Sequence, residues 1–178
     1  MILGAEELLK RVKKHELVKG LSRRELVNPE GPGFDLRAGE IYSISGRGFL
    51  GKKERQTAKI KLEAGVKARK KKIIIKPGDY YLITTMEEIR MGDRTLGHIY
   101  PRSTLFRSGI QLLCGKVAPG YYGKLTFGIK NAGKVEFELE LGARVAYMIF
   151  FEVRGRSNAS RGQWRGGRIA AEKKERQI

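Results

Sequence analysis

The chain contains almost none of the residues that build metal centres and disulfide frameworks. Its 178 residues include a single cysteine, Cys114, and two histidines, His15 and His98. One cysteine cannot form an internal disulfide, which indicates a reducing compartment. A zinc-dependent base deaminase needs a His-x-Glu and a Pro-Cys-x-x-Cys motif, which supply the three zinc ligands and a proton-shuttling Glu. Neither motif is present, so the sequence predicts no zinc and no metal held by side chains, and a Ser-His-Asp triad is equally unsupported.

Long apolar segments are missing as well. No apolar run approaches the roughly 18 residues that a membrane span needs, so no membrane association is expected. Glu6 and Glu7 lie near the N-terminus, where a secretory signal would be basic. Asn and Gln together number only seven, a shortage typical of proteins from hot environments. These features predict a cytoplasmic protein from a thermophile.

Acidic residues are greatly outnumbered by basic ones. The 37 Lys and Arg residues exceed the 19 Asp and Glu residues, for a formal net charge of +18. Residues 52–76 hold eleven Lys and Arg against two Glu, and residues 154–178 hold eight against two. Such segments favour phosphate-bearing partners, either nucleotides or nucleic acid. The alternative for each segment, and the default for residues 67–72, is a solvated surface.

Periodicity predicts one short helix followed by many strands. Apolar residues at helical spacing predict a helix over residues 5–19, within an N-terminal segment of residues 1–20. The clearest alternation of apolar and charged residues covers 135–141, and residues 125–130 alternate too, with a turn at 131–134 between them. Both stretches are therefore predicted strands.

Two further stretches complete the predicted β pattern. Residues 145–151 form a nearly continuous apolar run and should be a strand buried on both faces. Residues 73–75 and 80–85 flank a Pro-Gly-Asp turn and should form a hairpin. Many short strands with one peripheral helix predict a mainly β domain over residues 1–153, an antiparallel barrel or jelly roll.

The C-terminal tail, residues 154–178, is rich in Arg and Gly and poor in apolar residues. We expect it to be mobile until it meets a partner. Within it, glycines let the backbone approach phosphates and arginines neutralise them. Trp164, the only tryptophan, could stack on a base, or it could dock on its own domain or on a neighbouring subunit.

A cluster of arginines and hydroxyls indicates an anion site. Arg102, Ser103, Thr104 and Arg107 fall within six residues. Guanidinium groups pair bidentately with phosphate, and neighbouring hydroxyls complete the oxygen contacts. If these residues form a turn at one end of the barrel, both arginines can reach one polyphosphate. The alternative is an exposed charged loop.

Five segments, in this order and spacing, resemble the dCTP deaminase / dUTP pyrophosphatase (dUTPase-like) family over about residues 30–153. They are Phe34-Asp35-Leu36-Arg37-Ala38-Gly39, Pro77-Gly78-Asp79-Tyr80-Tyr81-Leu82, Pro101-Arg102-Ser103-Thr104-Leu105-Phe106-Arg107-Ser108-Gly109, Pro119-Gly120-Tyr121-Tyr122-Gly123 and Leu141-Gly142-Ala143-Arg144-Val145-Ala146.

The resemblance implies a distorted jelly-roll subunit in a homotrimer, with active sites between subunits. It implies dCTP or dUTP as ligand, with Mg²⁺ bridging the substrate phosphates and no zinc. Arg102, Ser103, Thr104 and Arg107 would hold the triphosphate, and Gly120 and Tyr121 would contact the nucleoside, the Tyr121 ring excluding a ribose 2′-hydroxyl. The tail would close over the nucleotide as a lid formed by Arg161, Gln163, Trp164 and Arg165.

The departures from the family pattern fall on the chemistry. The pattern has Asp where this chain has Ala118, and the deaminase pattern has a water-activating Glu where this chain has Gly128. Tyr147 replaces the usual Gln of the penultimate strand. Without a general base, the rate of water activation falls by about 10²–10⁴.

Three functions therefore remain open at the level of sequence. The first is an enzyme that deaminates dCTP or hydrolyses dUTP to dUMP and pyrophosphate, with Glu87 or Glu88 recruited as the carboxylate. The second is a catalytically inactive paralogue that binds nucleotides as a regulator. The third is a nucleic-acid-binding protein that uses residues 52–76 and 154–178.

Overall fold

The structure is a computed structural model and describes residues 1–155, 158–159 and 161–177. Helices in these residues span Ala5–His15 (α1), Arg23–Val27 (α2) and Ser103–Arg107 (α3). The strands are Val18–Lys19 (β1), Gly33–Ser45 (β2), Phe49–Leu50 (β3), Glu54–Gln56 (β4), Lys59–Gly65 (β5), Lys72–Ile75 (β6), Tyr80–Arg90 (β7), Thr95–Pro101 (β8), Ile110–Leu113 (β9), Lys116–Val117 (β10), Tyr122–Asn131 (β11), Phe137–Glu140 (β12), Arg144–Glu152 (β13) and Glu175–Arg176 (β14).

A large antiparallel sheet dominates the described residues, in the order β10-β8-β13-β2-β7-β11-β9, with β1 added to β7 and β5 to β2. Strand β2 pairs with β13 through its first five residues and with β5 and β7 beyond them. Register shifts mark these changes of partner, and such irregularities bend a strand. The sheet therefore curls into the distorted jelly-roll barrel predicted from the sequence.

The core lies inside this curl. Phe34, Leu36, Ile83, Met148 and Phe150 are fully buried, as alternation on the inward faces of β2, β7 and β13 requires. Two small sheets lie beside the large one: β12 pairs with β6, and β3, β4 and β14 form a three-stranded sheet. The second of these joins the C-terminal tail to the β3–β4 hairpin.

The predicted N-terminal helix is shorter than expected. Helix α1 ends at His15, and Glu16 follows in the left-handed conformation with φ of 50°. The amide of Glu16 still donates to the Val12 carbonyl, and the chain then enters β1, where Val18 pairs with Ile89. Pairing with β7 overrides helical propensity in residues 17–19.

Helix α2 was not predicted, although its start carries a recognisable signal. Ser22 caps it by accepting a hydrogen bond from the Glu25 amide at 3.4 Å. A Ser followed three residues later by Glu is the sequence signature of a capped helix start, so this element could have been found.

The predicted hairpin of residues 73–75 and 80–85 is wrong. Strand β6 pairs with β12, with Ile75 opposite Phe137, whereas β7 lies between β2 and β11. Residues 125–130 lie within β11 and residues 135–141 contain β12, as predicted, but these two strands pair with other partners and not with each other. A turn only connects strands that are neighbours in the sequence. Which strands pair with each other depends on how their apolar faces are buried.

Strand β13 is buried on one face only. Ala146, Met148 and Phe150 on one face are buried, whereas Tyr147, Ile149 and Phe151 on the other face are half-buried. The expectation of two fully buried faces was therefore wrong. None of the described helices is long and apolar enough to cross a membrane.

Candidate functional site

A large cavity lies between the barrel and the C-terminal tail and has a volume of about 620 Å³. We call it the main pocket. Apolar side chains from β2, β7, β8, β10 and β11 form its floor, namely Ile44, Leu82, Ile99, Val117, Leu125 and Phe127. Polar groups come from Tyr80, Tyr121 and Thr126, and the tail supplies Arg161, Gln163, Trp164 and Arg168.

The main pocket is cationic. Lys116, Arg161 and Arg168 contribute basic groups, and no carboxylate occurs among the described residues that line it. A pocket walled by low-dielectric side chains strengthens the attraction of such cations for an anion. The arrangement therefore suits an anionic ligand with an apolar portion.

A tight turn brings Ala118 and Tyr121 to the pocket wall. The Tyr121 amide donates to the Ala118 carbonyl at 3.3 Å, and the Met91 amide donates to the Tyr121 carbonyl at 2.8 Å. The Tyr121 hydroxyl donates to the Lys124 carbonyl at 2.6 Å. Burial raises the pKa of Tyr121 to about 12, so the ring stays neutral at physiological pH. Both residues line the pocket, and the nucleoside contact of Tyr121 stays a prediction.

Gly120, the other predicted nucleoside contact, faces the tail. Its φ is +71°, and an added Cβ would lie 3.0 Å from the Ala159 side chain and 3.3 Å from the Arg165 guanidinium. Arg165 therefore lies against this turn, whereas Arg161, Gln163 and Trp164 line the pocket. The predicted lid residues thus contact the pocket or its rim, and their binding role stays a prediction.

Gly128 has no room for a side chain. An ideal Cβ at this position would lie 2.5 Å from the Tyr80 hydroxyl oxygen and 3.2 Å from the Leu113 side chain. Tyr80 lines the main pocket. A phenol therefore occupies the space into which a carboxylate at residue 128 would extend. Tyr80 belongs to one of the motif segments, but the sequence gives no indication that its ring lies beside Gly128.

The tail packs closely on β11. An added Cβ on Gly123 would lie 2.2 Å from the Gly167 amide nitrogen. Residues 165–167 form a 3₁₀ turn against the strand, and β14 pairs with β4. Gly166 and Gly167 of the tail thus lie against the protein's own backbone. The sequence had suggested that the tail glycines contact phosphates. Residues 156, 157, 160 and 178 lie outside the described residues, and tail mobility stays a prediction.

Arg102, Ser103, Thr104 and Arg107 do not line the main pocket. They cap and form helix α3, where Ser103, Thr104 and Arg107 are exposed. Arg102 follows Ile99 by three residues, which is roughly 10 Å along an extended strand. Within one chain, therefore, the predicted triphosphate-binding residues lie outside the pocket that holds Ala118 and Tyr121.

A buried ionic cluster fixes Arg102. Asp35, 2 % exposed, accepts hydrogen bonds from Arg102 at 2.9 Å, Arg144 at 2.7 Å and Arg24 at 3.1 Å. Glu25, equally buried, accepts from Arg24 and from the Asp35 amide. The positive charges of the guanidinium groups compensate the negative charges of the two carboxylates, and buried charges need such partners. Asp35 and Arg144 belong to motif segments, but their contact spans 109 residues and has no local signal.

Neither acidic residue proposed as a substitute base lines the pocket. Glu87 is fully buried and accepts hydrogen bonds from the Arg37 amide at 2.8 Å and the Arg37 Nε at 2.7 Å. Glu88 lines a different cavity with Lys19 and Arg90. Among the described residues, no three His, Cys, Asp or Glu side chains are grouped so that they could hold a metal ion.

The sequence from residue 2 to residue 153 matches the dCTP deaminase-like family model. The chain belongs to this family. It is 29 % identical over 168 residues to the dCTP deaminase of Pyrococcus furiosus, covering 93 % of this chain and 96 % of that protein. It is 33 % identical over 126 residues to a probable deoxyuridine 5′-triphosphate nucleotidohydrolase of Aeropyrum pernix, covering 69 % and 75 % of the two chains.

A solved structure of this family shares the fold. The 2′-deoxycytidine 5′-triphosphate deaminase of Agrobacterium tumefaciens superposes with a TM-score of 0.64 over 84 % of this chain, at 15 % identity. The present chain covers 48 % of that longer protein. At this identity the likeness concerns the fold alone.

Proposed function

We propose that this protein binds a deoxypyrimidine nucleoside triphosphate, dCTP or dUTP, with its base and sugar in the main pocket. The observation that carries the proposal is the pocket's composition, an apolar floor with three basic side chains and no described carboxylate. An uncharged pyrimidine and sugar suit the floor, and the basic groups suit phosphates. Membership of the dCTP deaminase-like family supports this ligand class.

The nucleotide-binding assembly is proposed to be a homotrimer. Ser103, Thr104 and Arg107 of α3 are exposed, and neither they nor the half-buried Arg102 before them lines the pocket of their own chain. A neighbouring subunit can bring its Arg102, Ser103, Thr104 and Arg107 to that pocket, and the tail then covers the bound molecule. Mg²⁺ would bridge the substrate phosphates, as the resemblance to the family implies.

The bound nucleotide is proposed to remain unconverted. Deamination of cytosine and attack on the α-phosphate both need water activated by a base, and a positioned base contributes about 10²–10⁴ in rate. Ala118 and Gly128 lack carboxylates, Tyr80 occupies the space beside Gly128, and Glu87 is held by Arg37. The protein would then act as a nucleotide-binding regulator.

An active enzyme is the second candidate. Its support is the similarity to the dCTP deaminase of Pyrococcus furiosus, which extends over 93 % of this chain. A carboxylate from a neighbouring subunit would have to replace the missing ones. Nucleic-acid binding is the third candidate, supported by the exposure of Lys67, Arg69, Lys70 and Lys71. A cytoplasmic location remains a prediction from the sequence.

The deciding experiment measures binding and turnover on the same protein. Calorimetry with dCTP, dUTP and CTP in Mg²⁺ gives affinities, and chromatography resolves dUTP, dUMP and pyrophosphate. We expect both deoxynucleotides to bind, CTP to bind more weakly, and no product to form. Arg107→Ala should weaken binding at least tenfold, since a charge-assisted contact to phosphate is lost. Arg47→Ala, another exposed arginine, is the matched control.

Each alternative has its own result. Turnover that Arg107→Ala abolishes would establish the enzyme and reject the silent binder. Failure to bind either triphosphate, together with duplex DNA binding that falls steeply with salt, would favour the nucleic-acid protein.

A further inference from the structure

Arg55 is the most strongly engaged residue of the basic segment 52–76. It lies in β4 and is 8 % exposed. Its Nε and Nη2 donate to Glu175 Oε1 at 2.8 and 2.5 Å, and its Nη1 donates to Gln163 Oε1 at 2.5 Å. The guanidinium also stacks over the Trp164 ring, 4.3 Å from its centroid. One side chain of the barrel therefore holds three residues of the tail.

The contact with Arg55 determines how the Gln163 amide is oriented. A guanidinium has only donors, so the amide atom facing it must be the oxygen. The remaining atom, Nε2, is then a donor. It is buried, and it has no hydrogen-bond partner in the described part of the chain. Gln163 lines the main pocket, beside the space in which a ligand would lie.

A buried donor without a partner costs free energy unless a ligand satisfies it. The acceptors on dCTP and dUTP are the oxygens of the phosphates, the base and the sugar, together with N3 of cytosine. Carboxylates are absent from the described pocket wall, so no acidic side chain competes for this donor. The geometry thus prepares a neutral N–H donor for an acceptor atom of the ligand.

We propose that Arg55 is a positioning residue, which holds the Gln163 amide so that Nε2 donates to an acceptor atom of the bound nucleotide. Through Trp164 and Glu175 the same guanidinium keeps this part of the tail against the barrel. Arg55 itself does not line the pocket; it acts through Gln163. The inference rests on the proposed nucleotide binding and adds to it a specific polar contact.

The test is a double-mutant cycle of Arg55→Met and Gln163→Met, with dCTP and dUTP in Mg²⁺ and affinities by calorimetry. Methionine keeps the unbranched shape and removes the donors and acceptors. Each single variant should weaken binding about tenfold. Gln163→Met should add less than twofold once Arg55 is gone, because residues that share one interaction are non-additive. Arg176→Met, an exposed arginine of β14, should bind as wild type does.

Arg55→Lys is the conservative variant. It keeps the charge but cannot donate to Gln163 and Glu175 in a fixed fork, so its affinity should lie between those of Arg55→Met and wild type. Inorganic tripolyphosphate and deoxycytidine as separate probes identify the acceptor. A loss of tripolyphosphate affinity on Gln163→Met identifies a phosphate oxygen, and a loss of deoxycytidine affinity identifies an acceptor on the base or the sugar.

The fluorescence of Trp164, the only tryptophan, reports the tail without any ligand. Its emission should change in Arg55→Met and not in Arg176→Met. If wild type binds nucleotide and the losses of the two Met variants simply add, or are absent, the positioning role is rejected while the proposed function stands. If wild type binds no nucleotide, both proposals are rejected, whatever Trp164 does.

Discussion

The Tyr80 phenol, in the wall of the main pocket, fills the space beside Gly128. An added Cβ on residue 128 would lie 2.5 Å from the Tyr80 hydroxyl oxygen, closer than real contacts allow. The phenol and a side chain at residue 128 therefore exclude each other. The pocket wall offers a hydroxyl here, which can donate and accept a hydrogen bond.

Restoring a carboxylate at this position should be costly. Gly128→Glu is expected to destabilise the protein by about 1–3 kcal/mol through overpacking, and by less in a Tyr80→Leu background, where the hydroxyl is gone. Urea unfolding of the four proteins measures both costs. An equal cost in the two backgrounds would show that Tyr80 does not set the limit.

The Asp35 cluster yields a second prediction at this scale. Asp35→Asn would leave Arg102, Arg144 and Arg24 around a neutral amide, and breaking a buried ion pair costs about 3–5 kcal/mol. Because the arginines are partly exposed, we expect about 3 kcal/mol, measured by urea unfolding. Glu136→Gln removes an exposed carboxylate and should change stability by less than about 0.5 kcal/mol. A small loss of unfolding free energy in Asp35→Asn would contradict a stabilising role for this cluster.

Among the elements, the described part of the tail depends most on charge for its position. Strand β14 has two residues, and its pairing with β4 is reinforced by Glu175. This carboxylate accepts from Arg168 at 2.5 Å and from Arg55. Hydrogen bonds from Arg168 and then Arg55 lower the pKa of Glu175 below its ordinary value of 4.5. A short strand held this way can detach while the barrel stays folded.

The sign of the pH dependence follows from that shift. The pKa of Glu175 is lower with the tail docked than with it free, so its contribution to docking is complete above pH 4.5 and is lost as the pH falls through the docked value. We expect Trp164 emission to change in that acidic range before the barrel unfolds, as followed by circular dichroism. Glu175→Gln should abolish this step, and an unchanged step would assign it to another group.

At the scale of the whole molecule, the predicted site is divided. The pocket residues form one part of it. Arg102 and Arg107, at the two ends of α3, form the other part and do not line the pocket of their own chain. Tyr100 and Phe106, near these arginines, are 46 % and 57 % exposed. Large exposed apolar groups of this kind suit an interface with other subunits. Association would bury them and bring one subunit's arginines to another's pocket.

Light scattering should therefore give a mass three times the 20.1 kDa of one chain. Phe106→Glu is expected to lower that mass and weaken nucleotide binding together, because a charge would enter the interface. Val27→Glu, at another exposed apolar position, is the control and should remain a trimer. A monomeric mass for wild type would contradict the divided site.

Local patterns in the sequence specify much of this molecule. Alternation predicted β11 and β12, because side chains of a strand point to opposite faces whatever it pairs with. The motif segments indicated the family, the turn that carries Ala118 and Tyr121, and the residues of α3 that we propose to bind phosphate. These are properties of short segments, and they can be recognised without knowledge of the rest of the chain.

Tertiary structure decided which segments meet. Strand β6 joined β12 rather than its neighbour β7, and Arg55 joined Gln163 across 108 residues. Arg55 looked in the sequence like one of many surface cations. Pairing and burial depend on the whole curled sheet, because each polar or apolar surface finds its partner only after distant segments have folded together. Residue types thus set the available chemistry, and the fold selected which side chains could take part in it.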